Sequence, residues 1–116
     1  MESLMEEWQK RLGLEDWKIK LHTNLRQDEM TCADAEGNAS YEESTKTARI
    51  ELLDPAWYGE RIIPYDIEKT LVHELLHLKL SLLFGGDNLL ERIAHQWVDD
   101  LARAFVDAKR QGQKHE

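Results

Sequence analysis

His73 and His77 stand four residues apart in the stretch TLVHELLHLKL, Thr70 to Leu80, and Glu74 directly follows the first of them. In an α-helix, residues four apart lie one turn above each other on the same face. Two imidazoles so placed can aim at one divalent cation without backbone strain. Glu74 projects about a quarter turn away, outside the ligand set but within reach of a water beside the ion. This combination suits metal-assisted hydrolysis, with two neutral imidazoles as ligands and a carboxylate as general base. The competing reading is a core helix whose histidines bond to carbonyls. With five His and 116 positions, chance gives the full His-Glu-x-x-His pattern in roughly 3% of such chains. That figure favours the metal.

A catalytic zinc takes three protein ligands and keeps one open position. Downstream of His77 the candidates are Asp87, Glu91, His95 and Asp99. Glu91 shares the angular position of Val98 and Ala102, at the edge of the helix's apolar face. His95 comes level with His77 if the following helix returns strictly antiparallel, whereas a steeper crossing favours Glu91. The spacing leaves both open. A hydrolase also needs a donor for the developing oxyanion. Tyr41, Tyr58, Tyr65 and His95 qualify by type, although each tyrosine also suits plain packing with a wet hydroxyl.

The elements that must position these groups follow from periodicity. Leu4, Met5, Trp8 and Leu12 predict a first helix over residues 3–12, with Ser3 as N-cap and Gly13 as stop. Trp17, Ile19 and Leu21 alternate with Lys18, Lys20 and His22, the pattern of a half-buried strand with His22 in solvent. Residues 31–35 and 39–43 look extended, and Gly37-Asn38 between them suggests a turn or a bulge. Ala48, Ile50 and Leu52 share one face of a clearer strand. Together these predict a small twisted sheet of three or four strands, mostly antiparallel.

After a loop over 54–64, packed down by Trp57 and Tyr58, a long helix is expected over 66–84. Its apolar face is Leu71, Leu75, Leu78 and Leu82, widened by Val72, Leu76 and Leu83. Gly85-Gly86-Asp87 turns the chain into a last helix over 88–109. That helix offers Leu90, Ile93, Trp97, Leu101, Ala104 and Ala108 as its apolar stripe. Residues 1–110 read as one minimal domain of α+β class, and 111–116 as a polar tail whose His115 and Glu116 could reach toward a metal.

Composition narrows the function classes. The formal net charge is -8. The short basic pairs Lys10-Arg11 and Lys109-Arg110 fall near helix ends, where cations complement the dipole, so a nucleic-acid partner is not expected. No apolar run is long enough for a bilayer, and the first residues lack the pattern of a signal peptide. The lone Cys32 cannot form an intrachain disulfide and fits a reducing, cytoplasmic setting; it reads as a small buried hydrophobe.

The His73-Glu74-Leu75-Leu76-His77 run resembles the HExxH signature of the zincin metallopeptidases. The element order of helix, small sheet, active-site helix, turn and C-terminal helix is similar to the smallest of these, the minigluzincins and SprT-like domains. The chain does not resemble the metzincins, because His-Leu-Lys-Leu-Ser-Leu-Leu follows at 77–83. The resemblance implies a gluzincin-like fold, a Zn2+ cofactor and a peptide or protein substrate. It implies His73, His77 and Glu91 as ligands and Glu74 as general base. His95 would then take a place where the family often has a carboxylate. It also implies peptide docking along an edge strand, here residues 39–44, where Glu42 and Glu43 would favour basic peptides. The alternatives are a zinc-binding regulatory domain with little turnover, and a metal-free helical partner domain.

Overall fold

The computed structural model describes residues 1–32, 35–58, 65–84 and 88–114. The elements run α1 (Glu2–Arg11), β1 (Lys18–Leu25), β2 (Gly37–Glu42), β3 (Thr47–Leu53), α2 (Ile67–Phe84) and α3 (Asn88–Lys114). Short 3-10 turns lie at Gln27–Glu29 and Pro55–Trp57. Expectations for Asp87, the Gly85-Gly86-Asp87 turn, Gly59, Pro64 and the His115-Glu116 end lie outside the described residues, as does the Leu82 side chain. The α+β class holds.

α1 begins at Glu2 with no side-chain cap, so Ser3 does not serve as one. It ends where Gly13 takes φ +70, a left-handed conformation that costs a glycine nothing. α2 starts after Asp66, whose carboxylate accepts from the Lys69 N–H at 3.3 Å and satisfies one of the open donors of the first turn.

The three strands lie in the order β1-β3-β2. β2 and β3 form an antiparallel hairpin across Glu43–Lys46. β1 runs parallel to β3. The sheet is therefore mixed, which corrects the expected mostly antiparallel arrangement. Alternation of apolar and polar residues is the same in both senses, and the long connection from β1 to β3 leaves room for a parallel return. Residues 31 and 32 are bends rather than strand.

The main core lies between the sheet and the helices. Ala48, Ile50 and Leu52 of β3 meet Leu71, Val72, Leu75, Leu76 and Leu78 of α2, with Met5 and Trp8 of α1 closing one end. Truncating a fully buried leucine such as Leu75 to alanine would cost about 2–5 kcal/mol. Leu83 does not widen this face; it is largely exposed.

The inward face of α3 differs from expectation. Ala94, Val98, Ala102 and Val106 are buried, whereas Leu90, Ile93, Trp97 and Leu101 are exposed. Ala104 and Ala108 are exposed too. The small residues repeat every fourth position and let α3 approach α2 closely, in the manner of i±4 ridges. α3 also continues to Lys114, five residues past the expected end, so residues 111–114 are helix rather than loose tail.

Lys109 and Arg110 fasten the end of α3 to α2. Lys109 donates to Glu68 at 2.6 Å, and Arg110 grips both oxygens of Asp66 at 2.6 and 3.0 Å. The Trp8 indole also donates to Glu68, at 2.8 Å.

The outer face of the sheet carries a second small core of Met30, Leu53 and Tyr58. Glu51 is buried on that face and accepts from the Thr31 N–H at 3.1 Å. His22 stands beside Glu51 in register and is half-buried, with its Nε2 shut away from solvent. It is not the solvated side chain that its strand position suggested. Cys32, expected in the interior, is exposed.

Candidate metal centre

α2 sends its leucines into the core and turns His73 and His77 toward a cleft between itself, β2 and α3. Both rings are half-buried. Their Nε2 atoms face each other at 3.1 Å. His95 of α3 completes a trio, its ring centroid 4.8 Å from that of His73 and 5.3 Å from that of His77. The ligand atoms of the three all lie within 4.8 Å of one another, and they are the group of metal-binding type found among the described residues. Three imidazoles this close could hold a divalent cation.

Electrostatics favour the neutral form of His73 and His77. Burial, then the neighbouring His73 and His95, pushes His77 down to about 4. Burial and His95 also lower His73, against the opposing pull of Asp99. Neutral rings at pH 7 present lone pairs to a cation. Asp99 Oδ1 lies 3.5 Å from His73 Nδ1. A carboxylate on that side keeps the proton on Nδ1 and leaves Nε2 for a metal. Arg103 holds Asp99 from the other side at 3.2 Å.

Glu74 is 6% exposed, and its Oε2 is buried with no hydrogen-bond partner among the described residues. Burial pushes its carboxyl up to about 7. An unpartnered buried carboxylate costs free energy unless something in the finished site uses it. Gly37 at the start of β2 makes room for it. A Cβ there would sit 2.7 Å from Thr70 Cγ2 and 3.2 Å from Glu74 Cγ. This close approach of strand to helix, rather than a turn or a bulge, is what the glycine permits.

Two adjoining hollows of about 510 and 1080 Å3 share Ala35, Gly37, Glu74 and His95. They form one cleft across the site. His73, Asp99, Lys69 and Arg103 line the first side, and His77, Tyr41, Leu80 and Glu91 the second.

Set against family models, curated proteins and solved structures, the chain matched none of them. The site's own geometry therefore carries the functional argument.

Of the residues singled out from sequence, the structure gathers His73, Glu74, His77 and His95. Glu91 stands exposed in the first turn of α3, on the wall of the wider hollow and outside the trio. Tyr41 lines that hollow as well, edge-on to Trp17, and burial with the charges of Glu43 and Glu91 raises its pKa. Tyr58 lines the other side. Tyr65 stacks on Tyr58 at 5.0 Å and donates to the Glu36 carbonyl at 3.4 Å, so its hydroxyl is engaged elsewhere. Asp99, a candidate ligand by sequence, stands instead beside His73 Nδ1 as its partner. The signal was its position one turn beyond His95 on the same face. Gly37 was read as punctuation because contact between distant segments has no local signature.

Proposed function

We propose that the chain is a zinc-dependent peptidase in which His73, His77 and His95 hold the ion and Glu74 is the general base. The observation that carries this reading is the trio of imidazoles, their ligand atoms within 4.8 Å, beside a buried carboxylate whose Oε2 has no hydrogen-bond partner among the described residues. Three neutral nitrogen donors fit Zn2+ and leave its charge uncompensated, which suits a catalytic site. When bound, zinc supplies Lewis acidity toward a water and a scissile carbonyl.

The protein's own groups do the rest. Glu74, held near neutrality by burial, takes a proton from the attacking water and returns it to the leaving amine. Asp99 orients the His73 ring through Nδ1. With His95 as a ligand in place of the Glu91 that the zincin resemblance implied, the carboxylate one turn further on is Asp99. Tyr41, on the wall beside His77, is the tyrosine best placed to donate to an oxyanion.

β2 lies at one edge of the sheet, and Gly37, Asn38, Ala39 and Tyr41 line the cleft. An extended peptide can add to this edge beside Glu74. The docking stretch is then 37–42, because residues 43 and 44 belong to the hairpin turn.

The test compares wild type with Glu74→Gln for zinc content and for cleavage of a mixed peptide library. The proposal expects equal zinc and loss of cleavage in the variant. Zinc in both with cleavage in neither would support a zinc-binding regulatory domain instead.

A further inference from the structure

The histidines belong to two facing ladders. Lys69, His73 and His77 follow one another at four-residue spacing on α2, and His95, Asp99 and Arg103 do so on α3, so each set shares one face of its helix. The two faces meet in opposite senses. His77 and His73 lie against His95, His73 against Asp99, and Lys69 beside Asp107 at 3.3 Å. Lys69 thus stands one turn beyond His73, and Arg103 one turn beyond Asp99, at the same end of the cleft. Both line the narrower hollow of about 510 Å3, together with His73, Glu74 and His95.

Two cations on opposite walls at the end of a cleft make a site for an anion. Their ion pairs within the chain leave them available. Asp107 and Asp100, the partners of Lys69 and Arg103, are more than half exposed. Ion pairs to such solvated carboxylates contribute little, so either cation turns to another carboxylate at small cost. The acids that share the hollow are placed otherwise. Asp66 has both oxygens on Arg110, Asp99 lies between His73 and Arg103, Glu74 is the proposed base, and Glu36 belongs to the strand wall. The wider hollow has, among the described residues, Glu91 and Arg92 on its wall besides Glu74 and no pair of cations.

Distance selects the anion. One turn of helix rises about 6 Å. The terminal carboxylate of a peptide lies about 3.5 Å beyond the carbonyl of the preceding residue. A charge-assisted hydrogen bond adds about 2.8 Å. A cation one turn past a ligand is therefore spaced for the carboxylate of the residue that follows the scissile bond. β2 runs from Gly37, which both hollows share, to Tyr41 in the wider one. A peptide with its C-terminus at the Lys69 end lies antiparallel to β2, the more stable sense of strand pairing.

We infer that Lys69 and Arg103 bind the free C-terminal carboxylate of the substrate, so that the chain removes single residues from the C-terminus of peptides. The inference rests on the peptidase proposal for its chemical step. Water adds at the last peptide bond, the C–N bond breaks, and the proton taken up by Glu74 goes to the departing amine. The shortened peptide leaves as a carboxylate and the last residue as a free amino acid.

Two peptide libraries of the same sequences, one with free C-terminal carboxylates and one amidated, test this. Zinc-loaded wild type should release the last residue of the acids, with kcat/KM at least about 30-fold lower for the amides. Lys69→Met should shrink that ratio about 10-fold, through KM, at unchanged zinc content and circular dichroism. Asp107→Asn removes the partner of Lys69 within the chain and should keep the ratio. A purely structural Lys69 would instead make both variants lose activity on acids and amides alike. Calorimetric titration of the Glu74→Gln variant with an alanine tetrapeptide and its amide reads the same preference without turnover. Equal cleavage of both libraries, or cleavage at internal bonds only, would overturn the inference and leave the peptidase proposal standing. Cleavage of neither would sink the peptidase proposal, and the calorimetry then decides. Tighter binding of the acid, lost when Lys69→Met is added, supports the carboxylate site, and equal binding overturns it.

Discussion

The Nε2 atoms of His73 and His77 face each other at 3.1 Å across one turn of α2. Two ring nitrogens are held at that distance with burial suppressing protonation of both. His95 approaches from the next helix, so that the ligand-type atoms of all three rings lie within 4.8 Å of one another.

Glu74→Gln keeps the shape of the side chain and removes its basicity. Peptide cleavage should fall by about 10²–10⁴-fold, the range for a positioned general base. Zinc content, measured by elemental analysis, should stay at the wild-type level. A variant that loses zinc in step with activity would assign Glu74 to the ligand set.

Gly37→Ala introduces a methyl group 2.7 Å from Thr70 Cγ2. The new methyl presses on the Thr70 and Glu74 side chains, so β2 and α2 are pushed apart unless those side chains turn aside. The substitution should destabilise the fold by about 1–3 kcal/mol in urea denaturation, as overpacking does. It should also raise KM for peptides more than it lowers zinc content, because the edge strand shifts while the histidines stay. An unchanged KM would argue against peptide docking along β2.

Asp99→Ala removes the carboxylate beside His73 Nδ1. Zinc affinity should drop by about 10–100-fold, as for other partners of metal-bound histidines. Competition with a chromophoric chelator measures it. Because Asp99 also holds Arg103, Arg103→Ala serves as a control that should cost far less.

The legible and illegible parts of this chain divide on physical grounds. The motif helix was readable because i, i+4 spacing and a dense leucine face are local facts. The strand pattern at Lys18–Leu25 and Thr47–Leu53 was readable for the same reason. The parallel sense of β1 was not, since alternation carries no direction. α3 misled because it is apolar on two sides. Periodicity favoured the large residues Ile93, Trp97 and Leu101, while close helix packing chose the small ladder Ala94, Val98, Ala102 and Val106. That choice rotates the helix and brings His95 and Asp99, rather than Glu91, to His73. The placement of His95 beside His73 and His77 thus depended on a contact between helices that neither helix encodes alone.

Acid should loosen the junction of α1, α2 and α3. The Arg110 guanidinium beside Asp66 holds its carboxyl below the usual range. Glu68 is lowered too: burial opposes ionisation, but the hydrogen bonds from Lys109 and Trp8 outweigh it. Folded pKa values below the unfolded ones mean stability that is fully present above the unfolded values of 4.5 and 3.8 and lost as pH falls through the folded ones. Below about pH 5 the urea midpoint of the wild type should fall more steeply than that of the double variant Asp66→Asn, Glu68→Gln, and the titrations of His73, Glu74 and His77 cancel in that difference. Glu68→Ala, which leaves the buried Lys109 with Glu7 at 3.3 Å as its remaining ion-pair partner among the described residues, should cost about 3 kcal/mol at neutral pH. Equal slopes below about pH 5 in the wild type and the double variant would show that these pairs add nothing to the fold.

The most direct measurement is zinc stoichiometry and affinity for the wild type, His95→Ala and Glu91→Ala side by side. The account predicts one tightly bound zinc per wild-type chain, near-complete loss in His95→Ala and little change in Glu91→Ala. Loss in Glu91→Ala with retention in His95→Ala would contradict the ligand set, and a wild-type chain that holds no zinc would contradict the metal centre itself.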